Sequence, residues 1–125
     1  MRLWVIGLVV MAAAAGGCAS SASQPSAARE MRVGVKAAAR AYWQEAHFRF
    51  HRASQLEPDN VRVLNNLAVS LEALGRYEEA LEVYKRALEK APSNATLKRN
   101  HARFAEFYSS LARGVKPKEL GDAKP

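Results

Sequence analysis

Apolar positions in this chain recur with a helical period and then break at turn residues. Within residues 42–56, Ala46, Phe50 and Ala53 fall at i, i+4 and i+7, on one face of a helix. Residues 61–74 place Leu64, Leu67, Ala68 and Leu71 on a second inward face, and residues 77–90 do the same with Ala80, Leu81, Tyr84, Ala87 and Leu88. Residues 95–113 carry a stripe of Leu97, Phe104, Phe107, Tyr108 and Leu111. Residues 27–40 are rich in Ala, Arg, Glu and Lys, which favour helix. Between these stretches, Pro58-Asp59-Asn60 and Pro92-Ser93-Asn94 each stop one helix and offer a cap for the next. Gly75 and Gly114 stand where a helix ends in the left-handed conformation. The pattern predicts an all-α chain of five helices.

The pattern also repeats. Aligning residues 27–60 on 61–94 gives eight identities, at 35/69, 39/73, 45/79, 46/80, 52/86, 53/87, 58/92 and 60/94. Average composition would give roughly two by chance. Trp43 and Phe50 recur as Tyr77 and Tyr84. Small residues at 46/80 and 53/87 suit close crossing of paired helices, since a larger side chain would hold the backbones apart. The aromatics at 43/77 and 50/84 would fill the spaces between units. Gly34, Ala68 and Ala102 are also 34 apart and predict close contact along each first helix.

A 34-residue helix–turn–helix period resembles the tetratricopeptide repeat family. Residues 61–94 carry its pattern in Leu64, Leu67, Ala68, Leu71, Gly75, Tyr77, Ala80, Tyr84, Ala87 and Pro92. Residues 27–60 match in their second half. Ala41 stands where the turn glycine belongs, so the first turn is expected to be poorly formed, or the first two helices to run together. Residues 95–113 look like the first helix of a third unit, with Ala102 in register. The resemblance implies a solenoid of about two and a half repeats, its last helix acting as a cap. So short an array is expected to be marginally stable alone or to bury an exposed end by self-association.

The resemblance implies a binding module whose first helices line a concave groove. Carried over by position, the lining residues are Asn65, Asn66, Val69 and Glu72 in the second unit and Arg99, Asn100 and Arg103 in the third. An asparagine amide both donates and accepts hydrogen bonds, as contact with a peptide backbone requires. Arg99 and Arg103, one turn apart, could pair with a carboxylate. Bonds to neighbouring backbone and a solvated face are the plainer roles for the same residues. The first unit offers Met31 and Val35 where chaperone-binding members place a basic residue and an asparagine, which argues against an acidic chaperone tail. A peptide or protein with an apolar and acidic face is the expected partner.

The N-terminus carries a separate message. Met1-Arg2 precedes an apolar run from residue 3 to residue 15, too short to span a bilayer, followed by Gly16-Gly17 and the single cysteine, Cys18. Small residues before a lone cysteine resemble the lipobox of bacterial lipoproteins, which implies lipidation of Cys18 as the new N-terminus. Ala19 after it favours the outer membrane, with the protein facing the periplasm. The expected division is a signal peptide at 1–17, a flexible tether at 18–26, the repeat domain at 27–113 and a disordered tail at 114–125. Conventional cleavage, giving a secreted soluble binding module, is the competing expectation.

The formal charge is +7 at pH 7, and +6 once Arg2 is removed. Export and the spread of the charges argue against nucleic acid. His47 and His51 are four apart on a helix but lack a third metal ligand, and His101 is solitary. Glu82 with Arg86 and Glu72 with Arg76 are expected as i, i+4 pairs. No phosphate loop, nucleophile motif or paired carboxylate marks catalysis, so no enzyme, metal or cofactor is expected. The function expected is an envelope adaptor or assembly factor for a pilus, secretion or envelope complex. A constitutive structural subunit is the alternative.

Overall fold

The computed structural model describes residues 24–114, and within them the chain forms five helices and no strand. They are α1 (Ala27–Ala38), α2 (Trp43–Leu56), α3 (Val61–Ala73), α4 (Tyr77–Lys90) and α5 (Ala95–Ala112). Each packs chiefly on its neighbours in sequence, giving a tetratricopeptide-type helical solenoid. Cys18, the signal peptide and the tail from residue 115 lie outside the described residues.

Three helices open on side-chain caps. Asn60 Oδ1 accepts from the backbone N–H of Arg62 and Val63, and Asn94 Oδ1 accepts from Leu97. Ser26, assigned to the tether, caps α1 by accepting from the N–H of Arg29.

Ala46, Ala53, Ala80 and Ala87 are completely buried where the paired helices cross. Tyr77 reaches α5 through Phe104, Phe107 and Tyr108, at ring separations of 5.5–6.2 Å. Tyr84 meets His101 and Phe104, so Tyr77 and Tyr84 bridge neighbouring units, whereas the Phe50 ring lies on Gly34 within its own unit. Two small-residue positions behave as expected: Gly34 and Ala68 are buried. Ala102 is exposed, because no further helix packs on α5 among the described residues.

Other expectations fail for identifiable reasons. Leu111 is 44% exposed. The antiparallel α4–α5 pairing sets Tyr77, the first residue of α4, against Tyr108, and the last turn of α5 projects beyond it. Glu72 does not pair with Arg76, because the chain leaves α3 at Gly75 (φ 74°) and helical spacing no longer applies. Arg76 binds Glu79 instead, at 2.6 Å, and Glu82 pairs with Lys85 rather than Arg86.

The first turn is well formed and α1 and α2 are separate helices. Tyr42 N–H donates to Ala37 O and Ala41 N–H to Ala38 O, matching Arg76 to Leu71 and Gly75 to Glu72 in the second turn. Ala41 achieves this at φ 59°, in the left-handed region where its Cβ is crowded. Ala41→Gly should therefore stabilise the protein by about 0.5–1 kcal/mol, after allowing for the greater freedom of unfolded glycine. Thermal unfolding should show a midpoint raised by about 2–6 °C. An unchanged or lowered midpoint would mean that the turn carries no strain.

Candidate partner-binding surface

The first helices of the units, α1, α3 and α5, are joined by a row of side-chain hydrogen bonds. Asn100 Nδ2 donates to Asn65 Oδ1 at 3.0 Å. Asn65 Nδ2 reaches Asn66 Oδ1 at 3.5 Å, and Asn66 Nδ2 lies 3.9 Å from Met31 Sδ. Each link between units joins residues 35 apart, so the ladder follows from the repeat. The three asparagines are half-buried, bonded to one another while still reaching solvent. Their amides serve the fold as side-chain cross-ties rather than as bonds to neighbouring backbone.

Arg103 donates to Glu72 Oε2 at 3.1 Å, and the Tyr84 hydroxyl donates to Glu72 Oε1. Burial raises the Glu72 carboxyl above its usual range, while the Tyr84 hydroxyl and the Arg103 guanidinium oppose that rise. Burial, and then the adjacent carboxylate, hold the Tyr84 phenol well above its own ordinary range, so it stays a proton donor. This intrachain pairing takes up one of the two guanidiniums expected to face a partner carboxylate. Arg99 remains exposed, and Val69 is half-buried against the core.

A feature not singled out from sequence lies at the other end of this face. A cleft of about 420 Å³ opens between α1 and the start of α3. Met31, Val35 and Val63 supply apolar lining, Arg32, Lys36 and Arg62 supply cations, and Glu57 supplies one carboxylate. The repeat alignment held the signal for it. Met31 and Ala28 stand where the second unit has Asn65 and Arg62, so the first unit is more apolar at the lining positions.

His47 and His51 stack at 6.0 Å, and His47 Nε2 lies 3.2 Å from an Arg76 guanidinium nitrogen. Burial and the Arg76 charge lower the pKa of His47. Among the described residues no cluster of three or more His, Cys, Asp or Glu is arranged to hold a metal ion. Among them, too, no helix is long and apolar enough to cross a membrane.

The profile of the tetratricopeptide repeat matches residues 61–94. Over 43 residues the chain is 49% identical to the uncharacterized protein y4yS of Sinorhizobium fredii (strain NBRC 101917 / NGR234). That stretch covers 34% of this chain and 24% of the relative. Tetratricopeptide repeats are protein-interaction modules, and the matched repeat together with the fold described above supports a module of that kind.

Proposed function

We propose that this protein is a lipid-anchored adaptor of a bacterial envelope, holding a peptide or protein on the face shared by α1, α3 and α5. The observation that carries the binding surface is the cleft beside Met31 and Val35, continuous with the row running through Asn66, Asn65 and Asn100. Its chemistry favours an extended segment with an apolar residue seated between α1 and α3 and carboxylates meeting Arg32, Arg62 and Arg99. Val69 and the outward edges of the asparagines would contact the same segment, with Arg103 held at its margin by Glu72. Support for anchoring comes from the order of Arg2, the apolar run, Gly16-Gly17 and Cys18. An assembly role in a pilus, secretion or envelope complex at the outer membrane fits such an anchored module.

Selection from a random peptide library should enrich segments that pair an apolar residue with Asp or Glu. Arg32→Glu combined with Arg99→Glu should weaken the selected peptides roughly tenfold, on the order of 1.4 kcal/mol, without lowering the thermal midpoint. Arg103 is left untouched because reversing it would set two carboxylates together at half-buried Glu72. Enrichment of basic peptides, or affinity unchanged in the double variant, would refute this surface.

A further inference from the structure

The two complete units offer an internal comparison of their second helices. In α4 the exposed positions 78, 79, 82, 85, 86, 89 and 90 are Glu, Glu, Glu, Lys, Arg, Glu and Lys, all of them charged. The exposed positions of α2 are 44, 45, 48, 51, 55 and 56, and they hold Gln, Glu, Phe, His, Gln and Leu. Phe48 and Leu56 are 49% and 45% exposed where α4 has Glu82 and Lys90. One unit thus shows the ordinary solvated face of this helix, and the other has replaced nearly all of its charge.

Phe48 is also held in place. The guanidinium carbons of Arg49 and Arg52 lie 5.4 and 5.7 Å from its ring centroid. Arg49 is bound by Glu45 at 2.7 Å and by Glu30 at 3.2 Å, and Arg52 approaches Glu30 at 3.6 Å. Glu30 is buried in α1 at the position where the second unit has fully buried Leu64. A leucine there would meet the packing need, so the buried carboxylate is better explained by what it organises. It fixes two arginines, and they fix an exposed aromatic ring that is ordered before any partner arrives.

We infer that this face of α2 pairs with the same face of a second copy, the two helices antiparallel. Gln44, Phe48, His51 and Gln55 are spaced 4, 3 and 4 apart, the rhythm of a short coiled-coil seam. That spacing is symmetric about its centre. A two-fold axis sets Gln44 opposite Gln55 of the second copy, where each amide both donates and accepts, and Phe48 opposite His51. The cations beside Phe48 are already paired with Glu30 and Glu45, so two such faces meet with little like-charge repulsion, whereas the same pairing of two α4 faces would set Glu78 against Glu89. The polar residues interrupting the stripe fit a helix seam better than a bilayer. One four-turn helix against another falls below the ~1,200 Å² of a standard stable interface, so the pairing is weak and reversible. It uses no residue of the groove and stands independently of the proposed function.

The test is thiol cross-linking between two differently tagged full-length chains, using a short bis-thiol reagent. Gln44→Cys mixed with Gln55→Cys should give at least fivefold more cross-linked heterodimer than either variant with itself, or than unsubstituted chains bearing only Cys18. Phe48→Glu, the residue of the second unit, should reduce that product at least tenfold. Glu30→Leu should retain or raise the thermal midpoint while weakening the cross-link several-fold, separating the ordering of Phe48 from stability. Equal yields from all pairings, or a yield indifferent to Phe48→Glu, would overturn the pairing. So would a cross-link from Gln44→Cys to a different protein in place of the copy. Absence of the cross-link together with binding to anionic vesicles that depends on Phe48 would assign the face to a membrane and refute the proposal.

Discussion

Gly34→Val should destabilise the protein by about 3 kcal/mol, and Gly34→Ala by about 1–2 kcal/mol, in urea unfolding. On an isolated helix the alanine substitution would instead stabilise, by about 1 kcal/mol. The sign reverses because a Cβ at this position would stand 2.5 Å from Phe50 Cε1 and 2.8 Å from Cδ1. Phe50 is 2% exposed, so its ring can move only by displacing other core side chains. The second unit tolerates Ala68 at the same register, and its difference in chemistry suggests why. Tyr84 sends its hydroxyl to Glu72, which holds the ring along α3. The matching residues in the first unit are Phe50 and Ala38, which cannot make that bond, and the ring lies on Gly34. Phe50→Leu should return part of the stability lost in Gly34→Ala. A stabilised Gly34→Ala protein would show that the contact is not as close as the structure places it.

Cys18→Ser should move most of the protein from the membrane to the soluble fraction of the cell. On the anchoring proposed above, acyl chains on Cys18 would contribute ~0.8 kcal/mol per buried CH₂, so losing two or more of them would remove most of the membrane affinity. The described residues contain no spanning helix that could replace it. The measurement is fractionation of cells expressing each form, with metabolic labelling by a fatty-acid analogue. Fractionation unchanged in Cys18→Ser would mean that the apolar N-terminal run or another protein holds the chain at the membrane.

Most of the fold was legible because it repeats. Helices and their capping residues are set by local spacing, and Asn60, Asn94 and Gly75 act as their positions imply. The failures arise where one residue's environment depends on a distant one. Leu111 satisfies the apolar period of α5 but runs past the end of α4. Ala41 looked too bulky for its turn, yet the hydrogen bonds of Tyr42 and the packing of α1 on α2 hold it in the left-handed region. Glu30 gives no sequence signal of burial, because the arginines that neutralise it come from the next helix. The groove positions could be assigned by register, but their bonding could not. The Asn100–Asn65 tie and the capture of Arg103 by Glu72 join side chains 35 and 31 residues apart.

The central claim is that the face of α1, α3 and α5 holds a protein partner. Its most direct measurement places a photo-activatable residue in living cells at Val35, beside the cleft, and separately at Glu89 on the exposed face of α4. The account predicts one protein adduct from Val35 and none from Glu89, with the Val35 adduct lost in the Arg32→Glu, Arg99→Glu double variant. The same adduct from both positions, or its survival in the double variant, would contradict it.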